Sequence, residues 1–350
     1  MRFAFLCRDK PEPSNRKIAI IGAGPAGLSA TGYLVCHGHE VHIFDKLPEP
    51  GGLMLFGIPE FRIPISRVRE GFAELRDIFG VKFHGRTKIV FGNKPDEGDS
   101  FVDEFIEFDK LIKDFDAVLI ATGTWKSIMP KIEGGDLKGV LPALSLLFKI
   151  KCARLGYISW DNITPLKEKT VVIIGAGHTA VDVAIECMSL GASKIYMCYR
   201  RTILEAPAGY HEINFLKNRG VIWYELSMPT RIIGENGNVK AIELQQCKLS
   251  KPDKNGRRYP IPIENQFVTI DTNYIIYAIG QKLTPPFQQD IDVKLDDWGR
   301  IIVDDLHMTS REGIFAAGDI VIGPSKVGRA IQDGLYAAEG INYWLMGEQS

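Results

Sequence analysis

One glycine-rich pattern occurs twice in this chain, and it constrains the fold more than any other feature. Residues 17–30 have the sequence KIAIIGAGPAGLSA, and residues 170–184 have the sequence TVVIIGAGHTAVDVA. Each copy begins with an apolar β-branched run, passes through a glycine turn and ends with helical periodicity. A second strand pattern follows each helix, HEVHIFDK in the first copy and SKIYMCYRR in the second. This order predicts two dinucleotide-binding units, and the wide spacing of the copies predicts two separate α/β domains.

The first copy carries the complete GxGxxG pattern, with its glycines at Gly22, Gly24 and Gly27. The first glycine permits a tight turn, the second lets the backbone approach a pyrophosphate, and the third allows the helix to pack on the strand. The phosphates would lie at the helix N-terminus, where N–H groups and the helix dipole favour negative charge. Asp45 ends the second strand and could accept hydrogen bonds from ribose hydroxyls. The alternative is an accidental glycine-rich turn.

The second copy differs at the position of the acid. Its pattern is GxGxxA, at Gly175, Gly177 and Ala180, and the second strand ends in Tyr199, Arg200 and Arg201. Guanidinium groups match phosphate geometry in a bidentate way, so a 2′-phosphate is the natural ligand here. The sequence therefore favours NADPH over NADH. The alternative is that both arginines lie on a solvated strand end and discriminate little.

Three further segments are typical of the same two domains. DAVLIATG (116–123) and NYIIYAIG (273–280) have buried-strand patterns, and EGIFAAGD precedes a long helical pattern near the C-terminus. Asp319 could hold the ribityl hydroxyls of a flavin. The helix N-terminus near Lys326 and Val327 could stabilise negative charge on a reduced flavin ring.

Charge and cysteine usage narrow the function classes. The chain has 42 basic and 43 acidic residues, a net charge of -1, so an overall nucleic-acid-binding surface is not expected. Apolar stretches are too short for a membrane span, and the N-terminus lacks a signal-peptide core, so we expect a soluble cytoplasmic protein. The six scattered cysteines have no CxxC spacing. They predict free thiols in a reducing compartment, with no disulfide framework and no metal site.

Together these motifs resemble the small subunit of NADPH-dependent glutamate synthase and its relatives. The relatives include the FAD/NADPH part of dihydropyrimidine dehydrogenase and the large subunit of bifurcating ferredoxin:NADP oxidoreductases. The resemblance rests on GAGPAGLSA, PGGLMLFGIPEFRIP, GAGHTAVD with YRR, RRYPIPIE, YAIGQ and GIFAAGDIVIGPSKVGRAIQDG. It covers nearly the whole chain from Lys17 onward.

The resemblance implies a pyridine nucleotide-disulfide oxidoreductase-like α/β fold with two Rossmann-like domains. The NADPH domain (128–282) would be inserted into a discontinuous FAD domain (1–127 and 283–350). The resemblance also implies that FAD is lined by Gly52, Leu53 and Arg62 and closed over by Gly318, Asp319, Ser325, Lys326 and Val327. NADPH would be held by Gly177, His178, Thr179, Ala180, Arg200 and Arg201, with Ala278 and Gly280 near its nicotinamide half. The predicted cofactor-binding set also contains Pro25, Ala26, Lys46, Thr122 and Gly123.

Two departures from the family pattern stand out. Relatives usually carry an N-terminal cysteine-rich domain with iron–sulfur clusters, whereas only a short segment with Cys7 precedes the first strand here. His178 occupies a position that is commonly asparagine, and it could contact a phosphate or ribose or only cap the turn. His211 and Glu212 are expected on a solvated helix face.

The predicted function is an NADPH:acceptor oxidoreductase that passes hydride between NADPH and FAD and needs no catalytic side chain. Because Cys187 and Cys198 do not form a redox-active pair, the electrons would go to an external iron–sulfur protein or subunit. That partner could be a ferredoxin or resemble the glutamate synthase large subunit. A stand-alone ferredoxin:NADP reductase is one alternative, and a non-catalytic scaffold that retains FAD is another. The terminal acceptor, the direction and the oligomeric state stay open.

Overall fold

The computed structural model describes residues 2–90, 98–283 and 292–347. The chain divides into two compact units. Unit 1 comprises Met1–Lys126 and Gln281–Ser350, and unit 2 comprises Ser127–Gly280. Unit 1 is therefore discontinuous in sequence, and unit 2 is inserted into it.

The strands of the described residues follow the apolar runs of the sequence. In chain order they are β1 (Lys17–Ile21), β2 (Glu40–Phe44), β3 (Lys82–His84), β4 (Thr87–Val90), β5 (Glu104–Glu107), β6 (Ala117–Ile120), β7 (Lys126–Ser127), β8 (Val140–Pro142), β9 (Thr170–Ile174), β10 (Lys194–Cys198), β11 (Ile222–Tyr224), β12 (Ser227–Glu235), β13 (Asn238–Leu249), β14 (Pro260–Asp271), β15 (Tyr274–Tyr277), β16 (Gln281–Lys282) and β17 (Ile314–Ala316).

The α-helices of the described residues lie between these strands or after the last of them. They are α1 (Pro25–Val35), α2 (Leu53–Phe56), α3 (Ile65–Asp77), α4 (Phe108–Leu111), α5 (Ala143–Arg154), α6 (His178–Ser189), α7 (Tyr210–Lys217), α8 (Asp319–Ile322) and α9 (Val327–Met346). Short 3-10 helices lie at Asp99–Phe101, Trp160–Asn162 and Ile203–Glu205. No helix among the described residues combines the length and apolarity that crossing a membrane demands.

Unit 1 is built on a parallel sheet with the strand order β17-β6-β1-β2-β3. The central strand β1 has Ile18, Ile20 and Ile21 almost fully buried, because helices or loops cover both faces of the sheet. Each such side chain contributes roughly 1.5–3 kcal/mol by leaving water. The strand predicted in DAVLIATG is β6, and the strand predicted in EGIFAAGD is β17, as expected.

Unit 2 repeats this plan with the parallel order β11-β10-β9-β15-β8. The strand predicted in NYIIYAIG is β15. A three-stranded antiparallel sheet, β12-β13-β14, packs on one face through Ile232, Ile242 and Leu244. In both units the central strand is the one that feeds the glycine turn.

Close packing of α1 against α9 places the first glycine turn of unit 1. A Cβ on Gly334 of α9 would lie 2.2 Å from the Ala26 carbonyl oxygen, so only glycine lets the two helices approach. The Ser29 hydroxyl donates to the Ile331 carbonyl at 3.0 Å across the same contact. The C-terminal helix thus supports the first turn of α1.

The cysteine prediction is wrong for one pair, because Cys7 and Cys36 form a disulfide, with 5.5 Å between their Cα atoms. The N-terminal segment crosses α1, where a Cβ on Gly32 would lie 2.0 Å from the Phe3 carbonyl oxygen. This crossing brings residues 29 positions apart into bonding distance, which spacing in the sequence does not report. Cys187, Cys198 and Cys247 are buried and free, and Cys152 is fully buried.

Candidate nucleotide-binding sites

The first glycine turn has the geometry that a pyrophosphate site requires. Gly22 has a φ of +107°, and a Cβ there would lie 2.4 Å from the Ala121 carbonyl oxygen. A Cβ on Gly27 would lie 2.0 Å from the Gly22 carbonyl oxygen, so this glycine permits the helix to pack on its own turn. Nothing lies within 4 Å of a Cβ built on Gly24. The turn is thus closed at Gly22 and Gly27 and open at Gly24, where a phosphate would approach.

Asp45 holds this turn in place. Its Oδ2 accepts from the Ala23 N–H at 2.6 Å, and its Oδ1 accepts from the Leu47 N–H at 2.8 Å. Burial raises the pKa of the Asp45 carboxyl, and these two backbone hydrogen bonds oppose the rise. The predicted ribose acceptor therefore also tethers the turn to the end of β2. Each carboxylate oxygen keeps lone-pair capacity for a further donor.

Two distant segments of unit 1 meet the same turn. Gly52 has a φ of +50°, and a Cβ there would lie 2.8 Å from the Gly24 Cα. A Cβ on Gly318, with a φ of +81°, would lie 2.8 Å from the Ala26 Cβ. The fold therefore brings together Gly24, Ala26, Gly52 and Gly318, which were predicted separately. Leu53 begins α2 beside them.

The predicted residues after β2 and β6 have different surroundings. The Lys46 ammonium lies 3.7 Å from Asp99 Oδ1 and 4.4 Å from the centre of the Trp125 ring. Its charge is thus engaged within the protein.

The predicted residues after β6 have no such charged group. Thr122 Oγ1 is buried without a hydrogen-bond partner among the described residues, and Gly123, with a φ of +67°, borders open space. Arg62 lies over the ring of Phe61, 5.4 Å from its centre.

The C-terminal turn depends on a residue that sequence reasoning missed. The Gly318 N–H donates to Asp333 Oδ2 at 2.6 Å, and Asp333 Oδ1 lies 3.1 Å from Nε2 of His307. Asp333 is 8% exposed and stands inside α9, where no local motif marks it. The Ser325 hydroxyl donates to Asp319 Oδ1 at 2.7 Å, and burial raises the pKa of Asp319.

Residues Lys326 and Val327 lie where the sequence predicted a helix N-terminus. Val327 is the first residue of α9, and Lys326 is its N-cap. Pro25 is likewise the first residue of α1, whose N-cap is Gly24. Two helix N-termini of unit 1 therefore begin at predicted cofactor residues, and each offers backbone N–H groups that favour negative charge.

The second glycine turn repeats the geometry of the first. Gly175 has a φ of +135°, and a Cβ there would lie 2.3 Å from the Ala278 carbonyl oxygen. Nothing lies within 4 Å of a Cβ on Gly177, the N-cap of α6. His178 and Thr179 form the first turn of that helix, and Ala180 is fully buried. Gly280, with a φ of +119°, follows the same strand end as Ala278.

The two predicted arginines follow β10 after one intervening residue, Tyr199. Arg200 is exposed, whereas Arg201 is half-buried and its Nε has no hydrogen-bond partner among the described residues. Tyr199 anchors the segment, since its hydroxyl donates to the Glu205 carbonyl at 2.9 Å. On α7, His211 is exposed and Glu212 is half-buried.

Three buried polar atoms test whether nucleotides fit these turns. Thr122 Oγ1, His178 Nδ1 and Arg201 Nε lack hydrogen-bond partners in the described part of the chain. Each follows the carboxyl end of a parallel strand, which is where open α/β sheets bind ligands. Because buried polar groups normally have partners, these atoms fit the polar groups of two bound nucleotides.

Two buried thiols of unit 2, those of Cys187 and Cys198, are poorly suited to redox chemistry. Burial raises the pKa of Cys187 and of Cys198 to about 12, so neither forms a thiolate near neutral pH. Among the described residues, no group of three or more His, Cys, Asp and Glu side chains could hold a metal ion.

Comparisons with known proteins agree with this geometry. Residues 16–334 match the family model described as pyridine nucleotide-disulphide oxidoreductase. The chain therefore belongs to the pyridine nucleotide-disulphide oxidoreductase family. The predicted fold class and enzyme class, an FAD-dependent NAD(P)H oxidoreductase, are confirmed, and so is the cofactor pair FAD and NADPH.

Particular relatives refine this class. The chain is 34% identical over 335 residues to the NADP(+)-dependent formate dehydrogenase subunit beta of Moorella thermoacetica, covering 95% of this chain and 44% of that protein. It is 32% identical to the glutamate synthase [NADPH] small chain of Escherichia coli (strain K12), covering 95% of this chain and 69% of that one. The predicted resemblance to the glutamate synthase small subunit and its relatives is thereby confirmed. The chain spans less than half of the Moorella protein.

A solved structure shares the fold. FprA of Mycobacterium tuberculosis, determined in complex with NADPH, matches with a TM-score of 0.76 at 18% identity. The match covers 95% of this chain and 84% of FprA. At 18% identity, this match supports a shared fold and nothing more specific.

Proposed function

We propose that unit 1 holds FAD, that unit 2 holds NADPH, and that the protein passes electrons to an external iron–sulfur protein or subunit. One observation carries this proposal. Two glycine turns of the same shape are followed by opposite charges, Asp45 in unit 1 and Arg200 with Arg201 in unit 2. An acid suits ribose hydroxyls and a guanidinium pair suits a 2′-phosphate.

In unit 1 the chain would bind and orient the flavin nucleotide. The open backbone at Gly24 and the N-terminus of α1 would receive the pyrophosphate. Asp45 would keep the turn closed while accepting a ribose hydroxyl. The second helix N-terminus, at Lys326 and Val327, would stabilise negative charge. Asp319 would hold a ribityl hydroxyl, and its bond from Ser325 orients the carboxylate.

In unit 2 the chain would select and orient the nicotinamide nucleotide. Gly177 would admit the pyrophosphate, and Thr179 and His178 would donate from the first turn of α6. The Nδ1 of His178 would gain a partner that it lacks within the protein. Arg200 and Arg201 would hold the 2′-phosphate.

The bound cofactors supply the redox chemistry, in which hydride passes between the nicotinamide and the flavin. The chain supplies orientation and a dry environment, and no side chain is required as acid or nucleophile. Cys7–Cys36 lies at the far end of α1 from the glycine turn, about 16 Å along an 11-residue helix. We therefore do not assign it as the acceptor.

Delivery of electrons to a partner protein is supported by the names of two relatives, because one is a subunit beta and the other a small chain. The identity of the iron–sulfur partner and a cytoplasmic location are part of this proposal.

Anaerobic addition of NADPH to the purified, flavin-loaded protein tests the function. We expect the visible flavin absorbance to bleach with one equivalent of NADPH and to return when two equivalents of an oxidised one-electron iron–sulfur protein are added. Recovery with a free ferredoxin would identify a stand-alone reductase, and recovery only with co-purified subunits would identify a module of a larger enzyme. A flavin that stays oxidised would contradict the proposal and indicate a scaffold.

A further inference from the structure

The loop after the two arginines contains a carboxylate that a 2′-phosphate site would not be expected to tolerate. Glu205 ends the 3-10 helix Ile203–Glu205, and its Oε2 accepts from the Thr202 N–H at 3.0 Å and from the Thr202 hydroxyl at 2.5 Å. Thr202 directly follows Arg201. The Glu205 carboxylate is thus hydrogen-bonded to the residue that follows the arginines proposed to bind phosphate, and its negative charge would repel a phosphate bound there.

This carboxylate is ionised in the folded protein. Burial alone would raise the pKa of Glu205, but hydrogen bonds from Thr202 and from Arg258 outweigh burial and lower it. Glu205 therefore carries its charge at neutral pH. Its charge must be offset if an anionic group is to bind beside it.

Arg258 provides that offset from a distant part of unit 2. Its Nε donates to Glu205 Oε1 at 2.9 Å, and its Nη2 donates to the same oxygen. Arg258 precedes β14 and is 53 residues from Glu205 in sequence. The side chains are 37% and 18% exposed, so water screens the pair only partly.

The carboxylate is held in place by more than Arg258. Besides the Thr202 bonds, the Tyr199 hydroxyl donates to the Glu205 carbonyl at 2.9 Å. The Ala208 N–H donates to the Ala176 carbonyl at 3.0 Å, which ties the loop to the second glycine turn. Loss of Arg258 would therefore leave the carboxylate in position with its charge exposed.

We infer that Arg258 determines the preference for NADPH by neutralising Glu205 beside Arg200 and Arg201. Arg258 is a positioning residue that acts through Glu205 and need not touch the nucleotide. Without it, Glu205 would repel a 2′-phosphate, whereas NADH carries no phosphate at that position to be repelled. This inference rests on the proposed NADPH site in unit 2.

The test compares kcat and KM for NADPH and NADH in the flavin-loaded protein, with ferricyanide as the electron acceptor. The variants are Arg258→Gln, Glu205→Gln and the double variant. Glutamine at position 205 preserves the capping box with Thr202, so the loop keeps its support. Arg257→Gln is the matched control, because the Arg257 guanidinium lies over the Tyr259 ring and not on Glu205.

We expect Arg258→Gln to raise KM for NADPH roughly 10-fold, with kcat and the NADH constants nearly unchanged, because a tenfold effect needs only a modest charge interaction. The double variant should recover NADPH binding to within about 3-fold of the original protein, since the offending charge is gone. Arg257→Gln should leave both nucleotides unaffected.

Two results would overturn the inference. Equal rises in KM for NADPH and NADH in Arg258→Gln would indicate general damage to the site. A double variant that binds NADPH no better than Arg258→Gln would indicate direct contact of Arg258 with the phosphate. A parent protein whose flavin is reduced by neither nucleotide would instead contradict the proposed function. A parent that prefers NADPH but is insensitive to Arg258→Gln would defeat only the inference.

Discussion

The two glycine turns have nearly the same backbone but different supports. The N–H of Gly22 donates to the Phe44 carbonyl at 2.8 Å, and that of Gly175 donates to the Cys198 carbonyl at 3.0 Å. In unit 1 a carboxylate, Asp45, ties the turn to the next strand. In unit 2 Tyr199 stands at the equivalent position, and Arg200 and Arg201 follow it. We expect one backbone geometry to bind both nucleotides and the charge after the second strand of each unit to distinguish them.

The units also differ in what surrounds the turn. Unit 1 adds the turn at Gly318, held by Asp333, and an N-terminal segment joined to α1 by a disulfide. Unit 2 adds the Glu205 loop and its pairing with Arg258. The additional contacts in unit 1 fix the backbone, whereas those in unit 2 adjust the local charge. We expect substitutions in unit 1 to affect stability and flavin retention, and substitutions in unit 2 to affect nucleotide choice.

Loss of the disulfide should have the largest effect on stability. Replacing Cys7 and Cys36 with serine should lower the free energy of unfolding by about 3 kcal/mol, because the cross-link closes a loop of about 30 residues in the unfolded chain. Thermal unfolding with and without reductant measures this. Reductant should not affect the double variant. Alkylation of both residues in the native, oxidant-treated protein would contradict the prediction.

The third position of each motif offers a sharper comparison. Gly27→Ala places a Cβ against the Gly22 carbonyl, and we expect a loss of about 2–3 kcal/mol together with loss of flavin. Ala180→Gly, the reciprocal change in unit 2, should cost about 1–2 kcal/mol through lower helix propensity and loss of a buried methyl group, without a steric clash. Urea unfolding and the flavin-to-protein ratio report both. Equal losses of stability in the two variants would mean that the two turns do not differ in packing at this position.

The two arginines after β10 are expected to affect NADPH kinetics but not flavin binding. Arg200→Gln with Arg201→Gln should lower kcat/KM for NADPH about 30-fold and leave NADH unchanged, because hydrogen bonds between charged groups are lost, about 2 kcal/mol. The flavin content should not change. A parallel loss with NADH would show that the arginines do not recognise the 2′-phosphate.

A smaller effect, on FAD affinity, is expected from substitution of Asp333, which accepts a hydrogen bond from the Gly318 N–H. Asp333→Asn keeps an oxygen for the Gly318 N–H but removes the charge, and we expect FAD affinity to fall about 5-fold, near 1 kcal/mol. Flavin titration of the apoprotein measures this affinity. His307→Gln, which leaves the Gly318 bond intact, should have a smaller effect. An unchanged affinity in Asp333→Asn would show that the contact is dispensable.

Local patterns predicted the parts of the molecule that depend on a few neighbouring residues. The strands around each glycine turn, the helices that follow them and the helix start at Val327 depend on periodicity and on glycine within a short window. The family and enzyme class also followed from such motifs. The roles of the individual cofactor residues stay predictions, because a role depends on the bound nucleotide.

The sequence by itself determined the two nucleotide turns, their order along the chain and the opposite charges that follow them. Only the tertiary structure decided that Cys7 bonds to Cys36, that Asp333 holds Gly318 and that Arg258 neutralises Glu205. The physical reason is that turns and helices arise from interactions within a few residues. Each of these pairs instead depends on how distant segments pack, and neither spacing nor composition encodes that packing locally.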